Sequence, residues 1–332
     1  PVKEGAALSL DFHDGAGRLI DTYRLALGKE VAAAPPCMFL SGKTLTRNKE
    51  ELLCGVLERI RGAGFAVAIH TSTGLSQRVV VGKDAVLLEL PALHVLRRDR
   101  QYAAIPDRHS WRMTGLDIKE AQDGNVVISV NGEYADFQGG YRHLLTPRGE
   151  LETTATFKYN GEDMIVREAG LRFSVPRECD ILQWERKGAW NVYPEDHIGR
   201  LRGAAVPFEG GNSGIPPTGP WALDPSPRGS NDFRSTKQTI LWGGIHYPGG
   251  PGVLIAPEGE KHLRAEVESD RISVHVSDWY GGTGTDLSEW VLNYSRGKPI
   301  AKGATIVSKV KLRLVNGFGA EKAVFAGQPK AR

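Results

Sequence analysis

The sequence predicts an all-β protein made of large antiparallel sheets. Its 332 residues include 40 glycines and 19 prolines, which divide the chain into many short apolar runs. Several of these runs alternate apolar and polar residues, and turn-forming pairs such as Asp123-Gly124 and Asn160-Gly161 stand between them. Strands do not alternate with long helical patterns, as a parallel barrel would require. The pattern therefore favours an antiparallel assembly.

The first element is a predicted hairpin over residues 7–28. Apolar residues alternate with polar ones before the turn at 14–17, where a glycine can supply the positive φ of a tight turn. Two strands alone are only marginally stable in water, so this hairpin needs a partner surface. We expect residues 1–34 to be the end of a small β domain and residues 35–332 to form a second, larger one.

The larger domain begins with an ambiguous segment. The apolar residues of 46–60 fit helical spacing, yet the runs that follow are strands, so both states stay open. Long loops are expected over 203–229 and 278–300, where glycine, proline and polar residues break the alternation. Further strands are predicted at 64–70, 77–82, 85–96, 125–134, 141–146, 151–159, 164–175, 236–246, 252–256, 261–267, 271–277 and 304–315.

Composition excludes several classes of partner. Lys and Arg total 42 against 39 Asp and Glu, and this net charge of +3 provides no basic surface for nucleic acid. No apolar run approaches the ~18 residues of a membrane span, so no membrane partner is expected. The three cysteines lie far apart, which argues against a disulfide framework and a structural zinc site. We expect no metal and no cofactor, and the compartment (cytoplasm, periplasm or cell exterior) stays open.

The densest group of polar and aromatic residues lies at 184–200. In a functional interpretation, Glu195 or Asp196 is an acid or base with His197 as its partner. In a structural interpretation, the carboxylates and Arg200 lock the loop through charge-assisted hydrogen bonds. Adjacent carboxylates on a strand point to opposite faces, which does not suit a pair flanking a glycosidic bond. The candidates for contact with a sugar in this segment are Trp184, Trp190, Glu195, Asp196 and His197.

A second aromatic group lies in the predicted loop 278–300. Trp279, Tyr280, Trp290 and Tyr294 are close together in sequence. An indole offers a flat apolar platform beside a hydrogen-bond donor, which suits the C–H face of a sugar. The alternative is that these rings anchor the loop to the sheets.

Two smaller groups complete the candidates. Asp232 and Arg234 stand at i and i+2, so on a strand they would share a face and form an ion pair or bind sugar hydroxyls. His94, His109 and His143 are scattered, and each suits a structural role better than a shared site.

Segment 184–200 resembles the C-terminal region, or small chain, of glycoside hydrolase family 2 β-galactosidases. The resemblance covers about residues 40–315, and 231–234 stands where the family has its next short motif. This chain departs from the family at 185–187 and in its set of charged residues at 195–197. The family pattern is carried here by Trp184, Gly188, Asn191, Tyr193-Pro194 and Asp196.

The resemblance implies a fold and a role. The fold is the β-supersandwich shared with galactose mutarotases, and residues 1–34 would close the immunoglobulin-like domain that precedes it. The family's two catalytic glutamates lie in a (β/α)₈ barrel to which no part of this chain corresponds. A Trp of this region stacks on the sugar at the rim of the active site; Trp290 is the matching position, with Trp279 as the second choice. The implied partners are carbohydrate and a catalytic barrel domain or large subunit, and a homo-oligomer is compatible with them.

Three functions follow as hypotheses. The first is a non-catalytic, rim-forming part of a retaining glycosidase. The second is a standalone sugar epimerase or polysaccharide lyase, whose catalytic residues would come from Glu195, His197, Tyr193 and Arg200. The third is a carbohydrate-binding module.

Overall fold

The structure is a computed structural model. It describes residues 6–27, 34–53, 55–98, 104–121, 123–187, 201–207, 231–281 and 297–319.

The described part of the chain is almost entirely β-structure, and every strand pairing in it is antiparallel. The predicted all-β, antiparallel fold class is confirmed. The other elements are a 3₁₀ turn (Arg108–Ser110) and a single helical turn, α1 (Asn231–Arg234). The strands are β1 (Ala7–His13), β2 (Leu19–Ala26), β3 (Cys37–Phe39), β4 (Thr46–Leu52), β5 (Gly55–Gly62), β6 (Phe65–His70), β7 (Ser76–Val81), β8 (Asp84–Leu87), β9 (Glu89–Arg97), β10 (Ala104–Ile105), β11 (Arg112–Glu120), β12 (Val126–Glu133), β13 (Phe137–Leu145), β14 (Glu150–Tyr159), β15 (Met164–Pro176), β16 (Ile181–Arg186), β17 (Arg202–Ala205), β18 (Ile240–His246), β19 (Gly252–Ala256), β20 (His262–Val267), β21 (Arg271–Tyr280), β22 (Lys298–Ile300) and β23 (Thr305–Phe318).

The strands form sheets of very different size. The largest has ten strands in the order β11-β12-β13-β14-β23-β19-β18-β16-β17, with β3 beside β23. A six-stranded sheet has the order β10-β9-β15-β21-β20, with β22 beside β15, and a five-stranded sheet follows the chain from β4 to β8. The hairpin β1-β2 is a separate two-stranded sheet.

One apolar core unites the three larger sheets. Val67, Phe173 and Phe157 come from the five-, six- and ten-stranded sheets, and all three belong to the same buried cluster. The backbone N–H of Leu93 in β9 also donates a hydrogen bond of 3.0 Å to the Tyr141 hydroxyl in β13. This bond ties the six-stranded sheet to the ten-stranded one through a buried tyrosine.

Most predicted strands are present, and the sheets explain the strands that sequence patterns missed. β16 is missing from the prediction because four of its residues in succession are buried, so it has no two-residue alternation. β11 is missing because its pattern is mainly polar: it lies at the end of the ten-stranded sheet. The expected loops 278–300 and 203–229 are wrong where strands occupy their ends: β21 includes residues 278–280, β22 includes 298–300, and β17 includes 203–205. Residues 208–229 and 282–296 of these loops lie outside the described residues.

The ambiguous segment 46–60 lies in strands β4 and β5. Gly55 stands between them with a φ of +138°, a conformation that L-residues rarely adopt. Leu57 and Ile60 are fully buried in β5, although they lie three residues apart. The apolar spacing that suggested a helix therefore arises from a strand that has buried residues on both faces.

Residues 231–234 are a correction to the sequence-based interpretation. They form α1, a helical turn, so strand alternation does not apply to Asp232 and Arg234. Within the ranges that the structure describes, no helix is long and apolar enough to cross a membrane.

Candidate functional site

The six-stranded sheet has one apolar face and one polar face. Leu93, Leu171 and Val274 pack into the core from three adjacent strands. Because side chains alternate along a strand, the intervening residues project from the opposite face. On that face β9, β15, β21 and β20 carry imidazole, carboxylate, hydroxyl and guanidinium groups in place of apolar residues. They are His94, Glu168, Arg172, His275, Ser277, Arg264 and Glu266.

The pairing register brings these groups together. Gly170 in the central strand β15 pairs with His94 on one side and with Ser277 on the other. Arg264 in β20 pairs with His275 in β21. A Cβ at residue 170 would lie 2.4 Å from the Val276 carbonyl oxygen, so the close approach of β21 requires glycine there.

Glu168 is the centre of the resulting polar cluster. It is 1% exposed, it accepts a hydrogen bond of 2.8 Å from Arg264 Nε, and it accepts one of 2.7 Å from the Ser277 hydroxyl. Burial alone would favour the neutral acid, but the Arg264 guanidinium outweighs it and holds the pKa of Glu168 well below its usual range. Arg264 also contacts the carboxylate of Glu266. One guanidinium thus joins two carboxylates.

Two imidazoles adjoin this ion pair. His275 Nδ1 lies 3.2 Å from His94 Nε2, and the latter lies 3.5 Å from Glu168 Oε1. Burial lowers the pKa of both histidines, so both rings are neutral near pH 7. In the part of the chain that the structure describes, His94 Nδ1 and His275 Nε2 have no hydrogen-bond partner.

A second polar network continues along the same face of the sheet. Glu89 accepts hydrogen bonds from Ser174 Oγ at 2.8 Å and from Arg271 at 2.7 Å. Arg108 lies 3.4 Å from Glu268 and 3.8 Å from Glu89. These charges are compensated by one another and are more exposed than the cluster at Glu168, so we assign them a structural role.

Trp184 is the clearest correction among the predicted sugar contacts. It is fully buried in the core, and the Lys237 ammonium lies 4.3 Å from the centre of its ring. A ring enclosed by core residues and a buried cation has no free face for a sugar.

Trp279 lies at the end of β21 and is half-buried against the core. Lys298 Nζ is 6.0 Å from the ring centre. The indole nitrogen is buried and has no hydrogen-bond partner among the described residues. The position agrees with a ring that anchors the end of β21 to the core and stays partly exposed.

The other predicted site residues are only partly placed. Arg234 is half-buried on α1, and only the backbone of Asp232 is described. The remaining candidates lie outside the described residues: Trp190, Tyr193, Glu195, Asp196, His197, Arg200 and Trp290.

His94, His109 and His143 do not form a shared site, as expected, but His94 belongs to another cluster. His109 is exposed beside the 3₁₀ turn, and His143 is buried in the ten-stranded sheet with Nδ1 2.8 Å from Thr153 Oγ1. His94 instead meets Glu168 and His275, a cluster that the sequence analysis missed. The signal available in the sequence was a polar residue in the middle of the apolar run 85–96.

No family model and no curated protein matches the chain. Several solved structures align with most of the chain at low identity and low TM-score. A TPR-domain containing protein from Parabacteroides distasonis aligns with 84% of this chain at 9% identity and a TM-score of 0.43, and the chain spans 49% of that protein. A putative aldose 1-epimerase from Escherichia coli K12 aligns with 82% of this chain and 99% of its own, with 10% identity and a TM-score of 0.43. A galactose 1-epimerase from Lactobacillus acidophilus NCFM aligns with 84% and 99% respectively, with 12% identity and a TM-score of 0.42.

Proposed function

We propose that this chain is a non-catalytic, carbohydrate-contacting part of a family 2 glycoside hydrolase of the β-galactosidase type. The observation that carries the proposal is the arrangement of Glu168, Glu266 and Arg264 on the polar sheet face. Both carboxylates of that cluster are engaged by the same guanidinium. The motif at 184–200 supplies the assignment to the family.

Glycoside hydrolysis needs a different pair of carboxyl groups. A retaining enzyme uses one as a proton donor and the other as a free nucleophile, about 5 Å apart across the glycosidic bond. Glu168 cannot donate a proton near pH 7, because its ion pair with Arg264 keeps it ionised. It is also a poor nucleophile, because Arg264 and Ser277 occupy its oxygens. The cluster therefore supports a chain that depends on a separate barrel for hydrolysis.

The sugar contact in this proposal is made at the rim of the sheet. Trp279 lies near the end of β21, partly buried against the core and partly exposed. Trp290, the position matched by the family, lies a short distance further along the chain. A rim of aromatic rings would hold a sugar against the barrel without taking part in bond breaking.

The test begins with the chain alone. We expect no release of nitrophenol from 4-nitrophenyl β-galactoside above the buffer rate, and weak but saturable binding of methyl β-galactoside by titration calorimetry. The Trp279→Leu variant should weaken that binding about fivefold, since stacking on an aromatic ring contributes on the order of 1 kcal/mol. Trp111→Leu is the matched control, because Trp111 is likewise half-buried against the core.

Native mass of the protein purified from its source cells completes the test. We expect the chain to occur within a polypeptide or complex that is large enough to include a barrel domain. A free 36.2 kDa species that hydrolyses or epimerises galactosides alone would overturn it. If Glu168→Gln abolished such an activity, the epimerase or lyase hypothesis would take its place.

A further inference from the structure

Three potential metal ligands converge on the polar face of the six-stranded sheet. His94 Nε2, Glu168 Oε1 and His275 Nδ1 all lie within 4.8 Å of one another. They come from the adjacent strands β9, β15 and β21, so the sheet itself holds their backbones in place. All three residues are at most 3% exposed.

The distances between these atoms suit a small tetrahedral ion. Zinc binds histidine nitrogen at ~2.0–2.1 Å, so two ligands of a tetrahedral site are about 3.3 Å apart. The observed separations are 3.2 Å between the two imidazole nitrogens and 3.5 Å from His94 Nε2 to Glu168 Oε1. Two histidines and one glutamate are a common donor set for zinc, with a fourth position left for water or substrate.

The surrounding residues orient the ligands as the outer partners of a metal site do. Arg264 Nε donates to Glu168 Oε2 at 2.8 Å, and the Ser277 hydroxyl donates to Oε1 at 2.7 Å. A carboxylate oxygen has two lone pairs, so Oε1 keeps one for an ion on the side of the imidazoles. His275 Nε2 faces Glu266 Oε2 at 3.7 Å. An imidazole that binds metal through one nitrogen carries its proton on the other, and a carboxylate is the usual acceptor for that proton.

The ring nitrogens divide into an inner and an outer pair. The inner pair, His94 Nε2 and His275 Nδ1, can share a single hydrogen without an ion, whereas the outer pair, His94 Nδ1 and His275 Nε2, has no hydrogen-bond partner in the described structure. An ion bound to the inner pair would leave both ring protons on the outer nitrogens. Arg264 pairs with both Glu168 and Glu266. The ion would be held by Glu168 and the two neutral imidazoles.

We propose that His94, Glu168 and His275 form a zinc-binding site that joins the three central strands of the six-stranded sheet. This site revises the expectation, drawn from sequence spacing, that the chain binds no metal. It is independent of the glycosidase proposal, because neither the ligands nor their geometry depends on a barrel.

The test uses the full chain, stripped of metal with a chelator and then titrated with zinc chloride. We expect one zinc ion per chain by elemental analysis and a rise of the melting temperature with zinc concentration, since an ion that binds only the folded state stabilises it. Cobalt(II) in place of zinc should give the strong visible absorption of a four-coordinate site.

Variants test whether zinc binds at this site rather than at other histidines of the chain. Loss of a ligand in His275→Gln should weaken zinc binding more than 100-fold, while Glu266→Gln, which keeps all three ligands, should weaken it about 10- to 100-fold. His143→Gln is the matched control, because it removes a buried imidazole of the ten-stranded sheet that is not one of the three ligands, and it should leave the affinity unchanged. Absence of stoichiometric zinc in the wild-type chain, or equal binding by His275→Gln, overturns the proposal. If His275→Gln does not fold, the zinc affinity of Glu266→Gln tests the proposal instead, and an affinity equal to that of the wild type overturns it.

Discussion

At the scale of the residue, burial decides what a polar side chain does in this protein. His143 is 4% exposed, and its imidazole bonds only to Thr153. Burial lowers the pKa of His143 to about 4, from an ordinary value of 6.5. The folded state therefore keeps this ring neutral over a pH range in which the unfolded chain takes up a proton.

The consequence is a loss of stability in acid. Well above the ordinary pKa of 6.5 neither state binds the proton, so His143 has no effect on the free energy of unfolding there. Between pH 6.5 and about 4 the unfolded state binds more protons, so the free energy of unfolding falls as the pH falls, by at most ~1.4 kcal/mol per pH unit for one group. Urea denaturation from pH 7 to 4.5 should show a shallower slope for His143→Gln than for the wild type.

The exposed His109 provides the control for this measurement. His109→Gln should leave the slope as it is in the wild type. Equal slopes for His143→Gln and the wild type would show that His143 is not protected from protons in the folded state.

Tryptophans show the same dependence on surroundings. Trp184 and Trp279 have identical side chains and are both flanked by polar residues in the sequence. Trp184 is enclosed under Lys237, whereas Trp279 keeps part of its ring outside the core. Which one keeps an exposed part follows from the strand that carries it, and local sequence does not contain that information.

At the scale of the element, the hairpin β1-β2 differs from every other described sheet. All seven residues of β1 are exposed, including Leu8, Leu10 and Phe12. Its strands pair only with each other. The predicted hairpin is thus confirmed, and the immunoglobulin-like domain to which we assign it remains a prediction, as does the boundary between 1–34 and 35–332.

Hydrogen exchange tests how independent this hairpin is. We expect the amides of β1 and β2 to exchange faster than those of any other hairpin in the described chain, because little apolar surface is buried when the pair forms. The hairpin β4-β5 is the control: β5 contributes the fully buried Leu57 and Ile60 to the molecule. Equal protection of the two hairpins would mean that β1-β2 is stabilised by a surface on the molecule or on a second copy.

The strand β15, in contrast to the exposed strands β1 and β2, pairs on both sides and is mostly buried. Its 13 residues pair with β9 on one side and with β21 on the other, and it supplies Glu168 and Gly170 to the polar cluster. Alternate residues such as Leu171 and Phe173 are buried in the core. One strand therefore supports the site and stabilises the fold.

At the scale of the whole molecule, the three larger sheets depend on one shared core. Phe173 in β15 is fully buried there. Phe173→Ala should lower the free energy of unfolding by about 3–5 kcal/mol, because the removed ring leaves a cavity. Far- and near-ultraviolet circular dichroism in urea should report a single transition that shifts to lower urea for both signals.

Val307→Ala is the matched control, because Val307 is 61% exposed on β23. We expect it to change the stability by no more than about 0.5 kcal/mol. Separate shifts of the two signals for Phe173→Ala would show that the sheets unfold independently, in disagreement with a shared core.

The sequence by itself determined the fold class, the position of most strands and the turns between them. These features are local: a strand's two-residue alternation and a glycine's positive φ are present in a few neighbouring residues, as at Asp123-Gly124. The same local evidence left 46–60 open between helix and strand.

Only the tertiary structure decided which polar residues meet. His94, Glu168 and His275 are far apart in the chain, and each looks like an isolated polar residue in an apolar strand. The register of β9, β15 and β21 places them on one face, and that register depends on packing across the whole core. A cluster formed by pairing between distant strands has no signature in the spacing of its residues along one sequence.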